Sequence, residues 1–271
     1  MAGPNDTKGD KSAMTKEGMD RRTFLKIGGV LAAAGVSFPA SQLLVASTMA
    51  STASPENPKI SSVTGKLKKY TMVVDLNLCD GCKICEDSCR NENNVPLYTG
   101  DEAKNTAYWL RIASAKRDIP DQSTEERPVP LLCNHCDDAP CAHVCPTKAT
   151  FHREDGLVMI DEHRCIGCRY CVIACPYHAR SMVFRDTSDD EWTNHQVPKL
   201  MRGVASKCTF CVHRLDQDRI PRCVEDCPKQ ALKFGDRNDP ESEVSRLLEP
   251  GKAIVLRQNL EVGPNVFYLG L

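Results

Sequence analysis

The chain is short of what an ordinary domain of its length is built from. Aromatic residues make up 6% of its 271 residues, thin for a conventional hydrophobic core. It has no excess of positive charge either: the formal net charge is −1, and residues 51–271 hold 29 Lys/Arg against 32 Asp/Glu. A protein that neutralises phosphates should be basic, so nucleic-acid binding is disfavoured. No C-x-x-C-H string occurs, which excludes c-type haem attachment; His213 misses that pattern by one residue. Past residue 56 no run is apolar enough to span a bilayer, so membrane attachment of the mature protein needs a partner or an uncut leader. What the chain has is sixteen cysteines, and these are the candidates for holding it together.

The cysteines fall into four quartets with none left over. The first is Cys79, Cys82, Cys85 and Cys89; the second is Cys133, Cys136, Cys141 and Cys145. The third, Cys165, Cys168, Cys171 and Cys175, reads "CIGCRYCVIACP". The fourth is Cys208 and Cys211, an eleven-residue insert "VHRLDQDRIPR", then Cys223 and Cys227. Three thiolates on a tight loop can cap three iron corners of a cubane, while backbone N–H groups in the curl point at the sulfurs. A fourth cysteine followed by proline cannot readily turn back to its own loop, and in two-cluster ferredoxins it ligates the other cluster. Eight disulfides would not need this spacing, and structural zinc prefers paired C-x2-C knuckles, which only the fourth quartet approaches. Iron–sulfur ligation is the expectation.

The N-terminus reads "DRRTFLKIGGVLAAAG", with Arg21 and Arg22 before Phe24-Leu25-Lys26, and no charge from Ile27 to Pro55. That gap is long enough for a transmembrane helix but rich in Gly, Ala and Ser, so it is only weakly apolar. The arginine pair resembles a twin-arginine export signal, with Ala50 or Ala53 as the last residue before cleavage. Asp20 stands where that pattern usually has Ser or Thr. A retained anchor is the alternative, and Met14 or Met19 is an alternative start. Clusters and signal agree, because metal that holds a fold together must be inserted before a folded protein is exported.

An internal repeat runs through three quartets. "CPTKAT", "CPYHAR" and "CPKQAL" place Ala149, Ala179 and Ala231 four residues after a cysteine, where a small residue lets the backbone pass close to a cluster; the first quartet has Arg90 in place of the proline. Strands are expected at Tyr70–Asp75, Gly156–Asp161, "AYWLRIA" (107–113), "KAIVLRQ" (252–258) and "NVFYLG" (265–270). A helix is expected with Asp239 as N-cap and Pro240 first, closed by Pro250-Gly251. The fold class is α+β, two ferredoxin-like units with loop-rich insertions and a C-terminal helix plus strands. Nineteen residues separate Cys145 from Cys165, which favours joining quartets two and three and, by elimination, one and four. A tandem arrangement stays open on spacing alone.

These features together resemble the four-cluster iron–sulfur subunits of the dimethyl-sulfoxide-reductase superfamily, which carry electrons for formate, nitrite, polysulfide, tetrathionate and hydrogen enzymes. The resemblance runs from about residue 68 to the C-terminus and rests on all four quartets. It implies the nested pairing: a leader at 1–50, an outer unit from 68–130 and 204–235, an inner unit at 131–203, and an extension at 236–271. It also implies four [4Fe–4S] clusters. Cys79, Cys82, Cys85 and Cys227 would hold the first, and Cys208, Cys211, Cys223 and Cys89 the second. Cys133, Cys136, Cys141 and Cys175 would hold the third, and Cys165, Cys168, Cys171 and Cys145 the fourth. Some relatives replace one cysteine of the second quartet and bind a three-iron cluster; here all four are present.

Within that superfamily, "CPYHARSMVF", "DPESEVSRLL" and "GPNVFYLG" look most like the exported subunit of the sulfite-reduction-associated redox complex, with the nitrite-reduction subunit a close second. The resemblance implies an anaerobic electron-transfer subunit with no substrate chemistry of its own. Its partners would be an integral membrane quinone-interacting subunit, a cytochrome c or catalytic reductase subunit, and the twin-arginine export machinery. It would lie on the periplasmic side of the cytoplasmic membrane. In the insert of the fourth quartet, Arg214, Arg219 and Arg222 read either as a solvated loop or as a docking edge for acidic partners.

Overall fold

The computed structural model describes residues 67–117, 125–189, 192–249 and 251–271. The leader, with Arg21, Arg22, Ala50 and Ala53, lies outside the described residues, as does Pro250. In sequence order the described elements start with strand β1 (Tyr70–Asp75) and helix α1 (Ile84–Glu92). Strands β2 (Leu110–Arg117) and β3 (Glu125–Leu132), helix α2 (Pro140–His143), and strands β4 (Thr150–His152) and β5 (Val158–Ile160) follow. Next come helix α3 (Tyr170–Ala174), strands β6 (Ser181–Met182) and β7 (Ala205–Ser206), and helices α4 (Val212–Leu215) and α5 (Arg222–Glu225). Strand β8 (Leu232–Asp236), helix α6 (Glu243–Leu247) and strand β9 (Val266–Leu269) complete the fold.

The main sheet has the order β8-β1-β9. β1 runs antiparallel to β8, with Val74 opposite Leu232, and parallel to β9, with Met72 opposite Val266. It therefore ties the segment before the first quartet to the segments after the fourth. As the central strand it is covered on both faces, and Met72, Val73 and Val74 have no exposed surface. That fits the apolar triplet Met72-Val73-Val74, since a strand buried on both faces need not alternate. Three two-stranded ladders, β2-β3, β4-β5 and β6-β7, carry the intervening residues. Among the described residues no helix is long and apolar enough to cross a membrane.

The fold departs from expectation in four places. The strand expected over 107–113 starts at Leu110 and runs to Arg117, paired along its length with β3. Ala107–Trp109 leaves the ladder because the Tyr108 N–H donates to Ser181 Oγ at 3.0 Å. β3 is not among the expected strands; it carries Pro128 and Pro130, which it tolerates as an edge strand. The C-terminal helix begins at Glu243 with Ser242 as N-cap, not at Pro240. Asp239 instead closes a tight turn, its carboxylate accepting from the Glu241 N–H at 3.0 Å and its carbonyl from the Ser242 N–H at 3.1 Å. Finally, "KAIVLRQ" is no strand: it makes one bridge, Ile254 to Tyr268, before Arg257 turns into the left-handed region at φ 53°.

Candidate metal centre: four thiolate cradles

Each quartet opens on a loop whose backbone is bent the same way. The residue just before the second cysteine has positive φ in all four: Gly81 at 75°, His135 at 42°, Gly167 at 67° and Phe210 at 54°. This bend curls the loop so that its cysteines face one side. Glycine reaches the left-handed region at no steric cost, whereas His135 and Phe210 are held there by stacking on each other, rings 4.0 Å apart and both buried.

A second turn follows the last cysteine. The carbonyls of Cys145, Cys175 and Cys227 accept from the N–H groups of Lys148, His178 and Gln230 at 3.2, 3.2 and 3.0 Å. Proline sits at the second position of each turn, where its fixed φ is favourable. Lys148, His178 and Gln230 then take positive φ, and the alanine after each passes beside the thiols. The Ala231 N–H donates to Cys227 Sγ at 3.3 Å, and Ala149 and Ala231 are almost wholly buried. Where Arg90 replaces the proline no such turn forms, and the nine-residue helix α1 runs on through Arg90 to Glu92. It delivers Asn93 to the alanine position, four residues after Cys89. The Asn93 amide donates to the Cys89 carbonyl at 2.9 Å and to Cys211 Sγ at 3.5 Å.

The fold brings the thiols into four sets. Cys79, Cys82, Cys85 and Cys227 line one cavity, and Cys145, Cys165, Cys168 and Cys171 line another. Cys89 lies among Cys208, Cys211 and Cys223, and Cys136 lies among Cys133, Cys141 and Cys175. In each set three members come from one quartet and one from another. The sets follow one another in space. α1 carries Cys85 into the first set and Cys89, four residues on, into the second. Cys208 of the second feels Cys133 of the third, and Arg180 joins Cys141 of the third to Cys171 of the fourth. The second and third sets are wholly buried; the exposed cysteines are Cys82 in the first and Cys168 in the fourth.

Burial dominates the electrostatics. It pushes the Cys85 thiol up to about 12, the nearby Cys227, Cys79 and Cys82 adding to the effect. Burial likewise raises Cys89 and Cys223 well above the ordinary thiol range. Thiols packed this way ionise only if a neighbouring cation supplies the balancing charge, which iron does. At Cys145 burial also pulls upward, but N–H groups of Thr150, Ala149 and Thr147 and the Thr147 hydroxyl hold it below the ordinary value. Among the described residues no group of three or more His, Cys, Asp or Glu is set to hold a single metal ion. A cubane is ligated at four separate iron corners, so its thiolates stand farther apart than the ligands of one ion. All-thiol donor sets, with N–H donors on sulfur, fit [4Fe–4S] clusters.

The insert of the fourth quartet is neither a free loop nor a row of free arginines. Arg214 is buried at 2% exposure, its guanidinium paired with Glu225 at 2.6 Å and Glu92 at 3.4 Å, while Nε donates to the Ile220 carbonyl at 2.8 Å. Arg222 pairs with Asp226 at 2.8 Å and Glu225 at 2.9 Å. Two of the three arginines are thus committed within the protein, and Arg219 is the exposed one. Sequence reasoning missed Arg180, Lys207 and Asn93; their places in the repeat relative to the cysteines are the signal that could have found Arg180 and Asn93. Each is an isolated polar residue in a motif read for its cysteines and alanines.

A family model described as a 4Fe-4S dicluster domain matches residues 126–237, which hold quartets two, three and four. The "Hdr-like menaquinol oxidoreductase iron-sulfur subunit 1" of Archaeoglobus fulgidus is 42% identical, over 93% of this chain and 98% of its own length. A tetrathionate reductase subunit of Salmonella typhimurium is 42% identical over 75% of this chain and 73% of its own. A polysulfide reductase component of Wolinella succinogenes is 35% identical over 74% of this chain and 93% of its own.

Proposed function

The protein belongs to the iron–sulfur electron-transfer subunits of the polysulfide- and dimethyl-sulfoxide-reductase type, with four [4Fe–4S] clusters as its cofactors, and we propose that it is a wire between two partner proteins. Electrons enter at one surface-near cluster and leave at the other. The observation that carries this is the distribution of exposure. Cys82 and Cys168 reach solvent in the first and last thiol sets, while the eight cysteines of the middle sets are buried. A store or a sensor does not need two open ends and a closed middle.

The ligand sets follow the cradles. Cys79, Cys82, Cys85 and Cys227 hold the first cluster and Cys208, Cys211, Cys223 and Cys89 the second. Cys133, Cys136, Cys141 and Cys175 hold the third and Cys165, Cys168, Cys171 and Cys145 the fourth. Residues 68–130 and 204–235 then form an outer ferredoxin-like unit around an inner one at 131–203. The clusters supply one-electron chemistry when bound. The protein's own residues fix their spacing, keep water from the middle pair and donate N–H groups to sulfur. It turns over no substrate itself.

One partner is an integral membrane quinone-interacting subunit, supported by the menaquinol oxidoreductase name of the Archaeoglobus relative. The other is a cytochrome c or catalytic reductase subunit. The complex is the sulfite-reduction-associated one, on the sequence of "CPYHARSMVF", "DPESEVSRLL" and "GPNVFYLG". The second reading, a tetrathionate- or polysulfide-type reductase, is favoured by the corresponding relatives. The protein works on the exported side of the membrane, carried there by the Arg21-Arg22 leader. Purification of the tagged full-length protein from detergent-solubilised membranes tests the proposal. It should bring down a quinone-interacting membrane subunit, and adding a quinol to that complex should bleach the clusters' visible absorbance. Turnover of a reductase substrate by the isolated protein would overturn it. Retention of an Arg21→Lys, Arg22→Lys variant in the cytoplasm tests the leader; unchanged export would rule out that role for the arginine pair.

A further inference from the structure

Two cations are buried where the thiol sets meet. Arg180 is 5% exposed, and its Nη2 donates to Cys141 Sγ at 2.9 Å while Nη1 donates to Thr150 Oγ1 at 3.1 Å. Its charge also acts on Cys171, which it draws below where burial alone would set it. One planar guanidinium therefore bonds a cysteine of the third set and acts electrostatically on a cysteine of the fourth. Lys207 is 1% exposed; its ammonium donates to the Cys208 carbonyl at 2.8 Å and to the Val158 carbonyl. Cys208 belongs to the second set, and Val158 packs with Cys136 and Cys141 of the third. Lys207 thus lies at the next junction along.

Among the described residues neither cation forms an ion pair with a carboxylate. A buried charge is costly unless something opposes it, and an arginine cannot escape by losing its proton. Among the described residues the negative groups in contact with Arg180 are thiolates, once clusters are loaded. Reduction adds one electron to a cluster, so a fixed positive charge beside it stabilises the reduced form more than the oxidised one. Arg180 and its partner Thr150 also hold the same place in the repeat, each five residues after the last cysteine of its quartet. The outer unit has Asn94 and Leu232, both uncharged, at that place.

We propose that Arg180 is the shared counter-ion of the third and fourth clusters, that Lys207 does the same for the second and third, and that together they hold the inner junctions at higher potential than the cysteines alone would give. Both are positioning residues for electron flow. This rests on the ligand sets proposed above.

The experiment is a potentiometric titration followed by electron paramagnetic resonance, on the full-length protein with iron and sulfide counted first. Arg180→Gln should make two clusters harder to reduce, each by at least about tenfold in the reduction equilibrium constant, about 59 mV for one electron. Arg180→Lys, which keeps the charge, should restore most of the shift. Lys207→Gln should move two clusters as well, only one of them shared with the Arg180→Gln pair. Unmoved midpoints in variants with a full iron count would overturn the inference. So would an equal shift of all four clusters, which marks general loosening. If Arg180→Gln fails to load clusters, Lys207→Gln with Arg180→Lys decides: no shift in the first, or a full loss of potential in the second, sinks it. A wild-type protein with fewer than four clusters would instead refute the ligand sets on which it stands.

Discussion

Replacing Arg214 by methionine should destabilise the protein far more than its place in an apparently solvated insert suggests. The guanidinium is 2% exposed and ties three segments together: Glu92 at the end of α1, Glu225 in α5, and the Ile220 carbonyl in the loop between. Breaking one side of a buried ion pair costs about 3–5 kcal/mol. The partners soften the loss here. Glu225 is 40% exposed and keeps Arg222 at 2.9 Å, and Glu92 keeps His213 at 2.7 Å. The lower end of the range, about 3 kcal/mol, is therefore expected. For a domain of this size that lowers the thermal transition by about 6–12 °C. The assay is circular dichroism of anaerobically prepared, cluster-loaded protein, scanned at one fixed rate because unfolding with cluster loss is irreversible. Arg219→Ala, at the exposed arginine of the same insert, is the control and should stay within about 0.5 kcal/mol of wild type. If Arg214→Met melts with the control, the insert is not folded on this residue and the ion pairs contribute nothing measurable.

Cys168→Ser should lower iron by roughly one cluster's worth and leave the fold standing, because Cys168 lies at an exposed end, whereas Cys208→Ser, in the buried second set, should leave little soluble holoprotein; iron analysis beside circular dichroism distinguishes the two, and equal effects would contradict the open-end, closed-middle arrangement. Asn93→Leu removes a buried donor to Cys211 Sγ, so the second cluster should become harder to reduce and stability should drop by about 1–3 kcal/mol, read by the same potentiometric titration and by denaturant unfolding. Gly167→Ala would set a Cβ 2.1 Å from the Gly203 carbonyl oxygen at φ 67°, so it should cost at least about 1–3 kcal/mol, where Gly203→Ala, with open space around its Cβ, should cost less; matched thermal transitions for the two would refute the close approach.

Much of the fold is legible because cysteine spacing encodes backbone shape. The C-x-x-C bend, the proline turn and the small residue after it can each be read as a requirement for curling a backbone around a cluster, and β1 is legible from the short, mainly apolar segment ahead of the first quartet. What stays hidden depends on partners far away in sequence. β3 carries two prolines and forms only because β2 lies beside it. Asp239 has the chemistry of a helix cap but spends its carboxylate on the N–H of Glu241, two residues on, in a turn ahead of the helix. Arg214 looks free because Glu92, one of its partners, lies over a hundred residues upstream. Arg180 holds a fixed place in the repeat, but its charge gains meaning only from Cys141 and Cys171 lying beside it. The export leader, by contrast, is a statement about sequence and remains one.

If sixteen cysteines hold four clusters in one connected path, the stoichiometry is fixed. Iron and acid-labile sulfide should be counted per polypeptide on anaerobically purified protein, together with the electrons taken up on full reduction. Four cubanes require about sixteen iron, about sixteen sulfide and about four electrons per polypeptide, since each cubane takes one electron. A count near one cluster, or iron without sulfide, would contradict the four-cluster path.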